Sequence, residues 1–219
     1  MNKVKSMEAA IDHIKDGMTI MIGGFMSNGA PKTLIEAIIG KGVKDLTVIS
    51  NDCGHENEGI GRLLAEGRIK AMYASHVGLN PEVGRKMASG DLKVTLMPQG
   101  TLAERIRSAG SGLGGFLTPS GVGTIVAEGK QIINLNGKDY LLELPLKGDV
   151  ALVKASIVDE SGNCYYRGST RNFNTLIAMA GDYVIVEADE IVTVGSIQPE
   201  NVATPGILVD AIVKAGALS

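Results

Sequence analysis

A glycine-rich segment that follows a short apolar run is the first place where the sequence offers groups for chemistry. The apolar run covers residues 19–22, and Gly23, Gly24 and Gly29 follow it before Pro31. Glycines let backbone N–H groups come close to a ligand, and a helix that starts at Pro31 would direct its positive end at an anion such as a diphosphate. A tight turn without a ligand explains the same glycines, so the residues alone leave both interpretations open.

The spacing of Gly24 and Gly29 matches G-x-x-x-x-G, the phosphate loop of nucleotide hydrolases. Ala30 stands where that loop requires the lysine that contacts phosphate. Lys32 is a candidate for contacting a phosphate, but a lone lysine beside a helix start is more often simply solvated. The sequence therefore argues against hydrolysis of ATP or GTP.

A second glycine-rich segment, residues 110–115, formally matches the dinucleotide fingerprint G-x-G-x-x-G. That fingerprint lies between a strand and a helix, whereas here a helical pattern precedes the glycines and Pro119 interrupts the residues after them. We therefore predict that residues 110–123 form a long functional loop that faces a substrate or an interface. A nicotinamide site is not expected there.

Nucleophilic and ionisable side chains crowd a turn after another predicted strand: Asp52, Cys53, His55, Glu56 and Glu58. Such turns often hold nucleophiles, bases and metal ligands. One Cys-x-His pair is too few ligands for a closed zinc site, and we predict no metal site. We expect Cys53 to be a small buried apolar residue, and Asp52 with His55 is a candidate acid and base pair. The sequence contains no G-x-S-x-G motif, so it lacks the nucleophile turn of serine hydrolases.

Two uncharged amides, Asn51 and Gln99, each follow a predicted strand. Ligands of open α/β sheets bind beyond the carboxyl ends of the strands, which is where these amides are expected. An amide can support an oxyanion or a carboxylate, and it caps a neighbouring loop about equally often. The residues alone therefore predict an anion-binding protein without a convincing nucleophile of its own.

The elements that position these residues alternate along the first half of the chain. Strands are predicted at 19–22, 46–50, 69–75 and 94–97, and helices from Met7 up to Gly17 and at 31–39, 60–66, 81–89 and 101–109. This alternation predicts an α/β fold with an open, mostly parallel sheet that is flanked by helices.

The second half of the chain interrupts the alternation. Residues 132–143 carry two apolar runs around Asn136-Gly137, which predicts an antiparallel hairpin insertion. Further patterns predict strands at 151–157 and 183–187 and helices at 174–180 and 207–214. No repeat or linker separates two halves, so we predict a single domain over residues 1–219.

The composition of the 219 residues excludes several classes of protein. A formal net charge of -3, together with 4% aromatic residues and no Trp, argues against nucleic acid as a partner. The apolar runs are far shorter than the roughly 20 residues that cross a bilayer, so we expect no membrane partner. Two cysteines cannot form a disulfide framework, and the N-terminal residues do not look like a signal peptide, so we expect a cytoplasmic protein.

Residues 16–31 read D-G-M-T-I-M-I-G-G-F-M-S-N-G-A-P. This segment resembles the signature of the α subunits of family I (3-oxoacid) CoA-transferases, which is D-G-x-x, three apolar residues and G-G-F-x-x-x-G-x-P. Residues 98–105, 118–124 and 171–174 also resemble that family, and the likeness spans nearly the whole chain. The fold that the resemblance implies is the same α/β fold.

The resemblance implies an enzyme that exchanges coenzyme A between an acyl-CoA and a short carboxylic acid, namely acetate, butyrate or acetoacetate, by a ping-pong route. In this family the nucleophile is a glutamate of the β subunit within an S-E-N-G motif. This chain carries only a partial counterpart at residues 55–61, which includes Glu56. The resemblance therefore implies no catalytic residue in this chain, coenzyme A as co-substrate, no tightly bound cofactor, and a β subunit in an α2β2 heterotetramer.

The resemblance also assigns roles to residues of this chain. It implies that a coenzyme A-binding turn is formed by Gly23, Gly24, Phe25, Met26, Ser27, Asn28 and Gly29. Asn51 and Gln99 match positions that line the acyl site, where an amide supports the developing oxyanion. Two alternatives remain open: a non-catalytic module that binds coenzyme A or another anion, and a sugar-phosphate isomerase-like enzyme on a related fold.

Overall fold

A computed structural model describes residues 2–216, so the ends of the predicted domain, residues 1 and 217–219, lie outside the described residues. The helices are α1 (Met7–Ile11), α2 (Lys32–Lys41), α3 (Ile60–Ala65), α4 (Pro81–Ser89), α5 (Gln99–Gly110) and α6 (Asn174–Ala180). The strands are β1 (Thr19–Ile22), β2 (Leu46–Ile49), β3 (Ile69–Ala74), β4 (Lys93–Leu96), β5 (Phe116–Thr118), β6 (Ile132–Leu135), β7 (Lys138–Glu143), β8 (Gly148–Asp159), β9 (Cys164–Tyr165), β10 (Gly181–Val192) and β11 (Ala211–Lys214). Most predicted elements are confirmed, although α1 ends at Ile11, short of Gly17.

Eight strands form one large sheet in the order β11-β10-β8-β1-β2-β3-β4, with β9 paired to β8 outside this path. Every pair along the path is parallel, and the β8–β9 pair is antiparallel. The predicted open, mostly parallel sheet is therefore confirmed. Within residues 2–216, no helix has the length and apolar character that crossing a bilayer requires.

Apolar side chains cover both faces of the large sheet. Ile20 and Ile22 of β1 pack in one cluster with residues of α2, α3 and α4, and Met21 packs on the opposite face with residues of α5 and α6. Strands buried on both faces read as continuous apolar runs, which is why residues 19–22 stand out in the sequence. Helices on both faces leave the carboxyl ends of the strands as the open edge.

The predicted antiparallel insertion is a three-stranded sheet in the order β5-β7-β6. The β6–β7 hairpin turns at Asn136 and Gly137, whose φ angles of 52° and 78° are those of a type I′ turn. Strand β5 lies inside residues 110–123, so the prediction that all of this segment is a loop is wrong. Phe116 and Leu117 pair in register with Glu143 and Leu142 of β7, and that distant partner satisfies their backbone groups.

The small sheet is tied to α5 through a buried carboxylate. Glu143, at the end of β7, is only 1% exposed, and Lys130 Nζ lies 2.5 Å from its Oε1. Arg105 of α5 lies 3.8 Å from the other carboxylate oxygen, and its Nε donates to the Leu144 carbonyl at 2.7 Å. These contacts join the insertion to the helix that Gln99 begins.

The helix predicted at residues 207–214 is wrong. A single 3-10 turn, Gly206–Leu208, is followed by β11, which lies between β10 and the N-terminal residues. Ile212 donates its N–H to Lys3 O and accepts from Lys5 N, both at 2.9 Å. A short run of small and β-branched residues fits either helix or strand, and here these two neighbours supply the backbone partners of a strand.

Two glycines outside the site give opposite predictions for stability. A Cβ at Gly110, where α5 meets α6, would lie 2.4 Å from Met179 Cβ and 2.7 Å from Met179 O. We expect Gly110→Ala to lower the free energy of unfolding by about 1–3 kcal/mol because the two helices must separate. Gly84 is exposed on α4, and a Cβ there would meet nothing within 4 Å, so Gly84→Ala should raise it by about 0.5–1 kcal/mol. Thermal unfolding of the two variants measures both changes in stability. If both substitutions shift the unfolding temperature in the same direction, the close packing at Gly110 or the open space at Gly84 is contradicted.

Candidate active site

Residues 23–29 fold into a tight turn at the carboxyl end of β1, and we call this turn the cradle. Phe25 N donates to Asn28 O at 3.0 Å, and Asn28 N donates back to Phe25 O at 2.9 Å. Between them Met26 and Ser27 have φ angles of 49° and 64°. Left-handed non-glycine residues cost about 1–3 kcal/mol each, so the surroundings must hold this conformation.

The cradle keeps several hydrogen-bond donors without an acceptor. Within residues 2–216, the backbone N–H groups of Gly24, Ser27 and Gly29 have no acceptor, and the buried Ser27 Oγ has no partner. By contrast, Gly23 N donates to Leu152 O of β8 at 2.9 Å. Backbone N–H groups without a protein acceptor in a turn of this kind are typical of sites that bind carboxylate, phosphate or oxyanion oxygens.

Two asparagines hold the cradle from the side of α6. Asn174 is fully buried, and its Nδ2 donates to Gly29 O at 2.9 Å and to Thr170 O at 2.8 Å. Asn172 Nδ2 donates to Asn28 O at 2.9 Å. A Cβ at Gly23 would lie only 1.8 Å from Asn174 Oδ1, so glycine is required there. The carbonyls of Asn28 and Gly29 are thus bound by side chains of the protein, whereas three N–H groups of the cradle have no acceptor within residues 2–216.

Asp52 holds the cradle from the opposite side. Its carboxylate is 5% exposed, and it accepts from Met26 N at 3.0 Å, from Gly54 N at 2.7 Å and from Asn51 Nδ2 at 2.7 Å. Asn51 Oδ1 in turn accepts from Gln99 Nε2 at 2.8 Å. A continuous chain of hydrogen bonds therefore links the cradle to both amides that the sequence singles out.

The two amides have different surroundings. Asn51 is 2% exposed, and its carbonyl oxygen also accepts from Ser75 Oγ at 2.9 Å, so both ends of its side chain are bound within the protein. Gln99 is exposed and is the first residue of α5. Gln99 is therefore open to solvent, while its hydrogen bond to Asn51 fixes the direction of its side-chain amide.

The remaining residues of the crowded turn do not join Asp52. Glu56 pairs with Arg85 at 2.6 Å on the surface, and Glu58 pairs with Lys32. His55 is exposed and makes no hydrogen bond to Asp52 in the described part of the chain. The acid and base pair that the sequence allows is therefore not assembled. Residues 2–216 also contain no group of three or more His, Cys, Asp and Glu side chains able to hold a metal ion.

Cys53 is buried, as expected, with 1% of its surface exposed. Burial raises the pKa of its thiol to about 12, and the negative charges of Asp52 and Glu82 act in the same direction. A thiol is a nucleophile only as the thiolate, so Cys53 is inert at neutral pH.

The sequence suggests that the N-terminus of α2 faces an anionic ligand. In the structure, a carboxylate of the chain itself already binds there. The N–H of Leu34, in the first turn, donates at 2.9 Å to the buried carboxylate of Glu187 from β10. Lys154 Nζ lies 3.0 Å from the other oxygen of Glu187. The chain itself thus supplies the anion that this helix end favours. Because Leu34 and Glu187 are 153 positions apart, no local sequence pattern reveals the contact.

The glycine-rich segment 110–115 runs from the last residue of α5 to the residue before β5, so a helix leads into it and a strand follows it. This is the reverse of the order that the dinucleotide fingerprint requires. A Cβ at Gly115 would lie 2.7 Å from Glu143 O, so close approach to β7 accounts for that glycine.

Comparison with known proteins identifies the family. The family model described as coenzyme A transferase matches residues 4–215. The chain belongs to the coenzyme A transferase family. The family predicted from residues 16–31 is therefore confirmed, and those residues comprise β1 and the cradle.

Two curated relatives match over nearly their whole length. The acetate CoA-transferase subunit alpha of Escherichia coli is 52% identical over 96% of this chain and 96% of that protein. The acetoacetyl-CoA:acetate/butyrate CoA transferase alpha subunit of Clostridium acetobutylicum is 50% identical over 97% of this chain and 98% of that protein. In fold, the chain is similar to the acyl-CoA transferase YdiF of E. coli O157:H7 in its thioester complex with CoA, with a TM-score of 0.85 and 23% identity. The match covers 100% of the present chain but only 48% of the YdiF chain, which is longer.

We predict that both cysteines are unreactive in the folded protein. Burial raises the pKa of Cys164 to about 12 as well, so both thiols stay protonated at pH 8. Ellman's reagent at pH 8 should label no thiol in the native protein and both in urea. Labelling of the native protein within minutes would contradict the buried, protonated state of Cys53.

Proposed function

We propose that this chain is the α subunit of an enzyme that transfers coenzyme A between an acyl-CoA and a short carboxylic acid, with acetate or butyrate and acetoacetate as the acids. The observation that carries the proposal is the cradle, in which three N–H groups have no acceptor within residues 2–216 and which is linked to Gln99 through Asp52 and Asn51. The names of the two full-length relatives support the same reaction and the same subunit. No tightly bound cofactor is required, because coenzyme A is a substrate.

In this proposal the cradle, residues 23–29, binds the acyl-CoA and stabilises charge at its reacting carbonyl. The N–H groups of Gly24, Ser27 and Gly29 donate to the oxygen on which negative charge develops, and Gln99 supports it from the side. One such preorganised donor typically changes kcat by about 10²–10³. Binding energy from the distant nucleotide and pantetheine parts of coenzyme A helps to reach the transition state.

In this proposal the nucleophile does not come from this chain. Glu56 and Glu58 are each paired with a cation, and Cys53 is protonated and buried. We assign the nucleophile to a glutamate of a β subunit. That carboxylate attacks the thioester carbon and expels the coenzyme A thiolate, which leaves a mixed anhydride. The thiolate then attacks the glutamyl carbon of the anhydride, which releases the first acid and forms a glutamyl-CoA thioester.

The second half of the reaction reverses these steps. The carboxylate of the second acid attacks the glutamyl thioester and expels the thiolate, and the thiolate then attacks the acyl carbon of the new anhydride. The glutamate is regenerated and the second acid leaves as its coenzyme A ester. The proposal includes one α-subunit domain over residues 1–219, an α2β2 assembly and a cytoplasmic location, for which the two unpaired cysteines are the support.

The sugar-phosphate isomerase alternative requires an acid and a base that reach a substrate together. Asp52 is bound by three N–H donors, and His55 is exposed and apart from it. The structure therefore does not favour this alternative. A non-catalytic module would keep the cradle but transfer nothing, and a transfer assay of the assembled α and β chains distinguishes it from the enzyme.

The first prediction is that neither chain alone transfers coenzyme A and that the two chains together do. The chain is co-expressed with its β subunit, and transfer from acetoacetyl-CoA to acetate is followed spectroscopically. Mass spectrometry after incubation with acetoacetyl-CoA alone should find the coenzyme A adduct on the β subunit. A complex without transfer activity would overturn the enzyme, and an adduct on this chain would overturn the assignment of the nucleophile.

The second prediction concerns the cradle itself. A Cβ at Gly29, whose φ is 68°, would lie 3.0 Å from Asn172 Nδ2, Asn174 Nδ2 and Thr170 O. We expect Gly29→Ala to lower kcat of the complex by about 100-fold or more, because the donors of the cradle shift away from the carbonyl oxygen. Gly40→Ala in α2, where the added methyl meets nothing within 4 Å, is the matched control and should keep wild-type kcat. Equal activity of the two variants would exclude the cradle from the reaction.

A further inference from the structure

Asp52 carries a buried charge that no cation balances. Its three hydrogen-bond partners in residues 2–216 are two backbone N–H groups and one neutral amide. Burying a carboxylate is costly unless it is well hydrogen-bonded, and a neutral residue of the same size would avoid that cost. The proposed reaction does not use Asp52 as acid, base or nucleophile, so its charge needs another explanation.

One oxygen of Asp52 joins the two parts of the site. Oδ2 accepts from Met26 N of the cradle at 3.0 Å and from Asn51 Nδ2 at 2.7 Å. An ionised carboxylate oxygen accepts several N–H groups at once and binds them more strongly than a neutral acceptor does. Asn51 then accepts from Gln99, so the orientation of Gln99 depends on the same oxygen.

The hydrogen bond to Met26 fixes the peptide group at which the cradle becomes left-handed. The carbonyl of this peptide, Phe25 O, accepts from Asn28 N at 2.9 Å, and its N–H donates to Asp52. With both ends held, the peptide cannot rotate, and the φ of 49° at Met26 is maintained. The direction of the next N–H, that of Ser27, follows from this constraint.

We propose that Asp52 is a positioning residue of the acyl site. Its carboxylate holds the Met26 peptide and the Asn51 amide in one arrangement and thereby aims the Ser27 N–H and the Gln99 side chain at the reacting carbonyl oxygen. The inference rests on the proposed function for its catalytic consequence. The rigidity of the cradle that it requires is a property of the chain and can be measured without substrate.

Asp52→Asn in the α/β complex tests the proposal. The amide keeps the shape of the side chain but replaces one acceptor oxygen by an NH2 group that faces an N–H donor. We expect kcat to fall by about 10- to 100-fold, while the KM for acetoacetyl-CoA changes less than about threefold, because the distant contacts of coenzyme A are untouched. Hydrogen exchange of the peptide that contains residues 23–29 should become about tenfold faster or more.

Asp159→Asn is the matched control. Asp159 is 2% exposed and accepts from Ser161 N, Ser161 Oγ, Asn163 N and Asn163 Nδ2 in another turn. It lies seven residues beyond Leu152 along β8, which is about 23 Å at the rise of a strand. This variant should lose stability but keep wild-type kcat and wild-type exchange in residues 23–29. If both variants lower kcat by the same factor, Asp52 is only structural and the proposal is overturned.

A less disruptive substitution, Ser75→Ala, keeps the proposal testable if Asp52→Asn does not fold. Ser75→Ala removes the hydroxyl that donates to Asn51 O and Asn51 Oδ1, each at 2.9 Å, and leaves Asp52 in place. We expect a two- to fivefold loss of kcat, about the size of one neutral hydrogen bond, and unchanged KM. Wild-type kcat in Ser75→Ala, together with an unfolded Asp52→Asn, overturns the positioning role.

The two readouts separate this inference from the proposed function. If the wild-type complex transfers no coenzyme A, the proposed function fails, and hydrogen exchange alone decides whether Asp52 holds the cradle. If the wild-type complex is active and Asp52→Asn changes neither kcat nor exchange, the proposed function stands and the positioning role is overturned.

Discussion

The peptide group between Phe25 and Met26 is held at both ends, by Asn28 through its carbonyl and by Asp52 through its N–H. A turn with two consecutive left-handed non-glycine residues would not persist without such contacts. Asn172 and Asn174 hold the carbonyls of the same turn from the other side. Because protein groups hold the peptide and these carbonyls, the backbone of the cradle keeps one conformation. Its N–H groups without an acceptor therefore keep one orientation as well.

The parallel sheet brings these supports together. Strand β1 lies between β8 and β2, so the turn after β1 is flanked by the turn after β2 and by the residues that α6 packs against β8. Asp52 and Asn51 come from the first of these neighbours and Asn174 from the second. Gln99 reaches the same edge because β4 also ends there. These supports come from three separate connections of the sheet, so they meet around the cradle only when the whole sheet is formed.

Among residues 2–216, the ionisable side chains around the cradle are held in states that do not favour nucleophilic attack. The site's carboxylates are either paired with cations, as Glu58 is with Lys32, or saturated with N–H donors, as Asp52 is. Its thiol is buried among apolar side chains and stays protonated. Even the positive end of α2 is partly neutralised by Glu187. What remains is a set of neutral donors held in fixed positions, and groups of this kind stabilise developing negative charge.

The sequence by itself determined the alternation of strands and helices, the hairpin at Asn136-Gly137 and the position of the cradle, because periodicity, turn chemistry and glycine placement are local. Only the tertiary structure decided that residues 116–118 and 211–214 are strands, since short apolar runs take the conformation for which a neighbouring strand supplies hydrogen bonds. It also decided that Asp52 braces the cradle and that Glu187 caps α2. A buried polar group must find a partner somewhere in the fold, and that partner is set by which strands lie side by side.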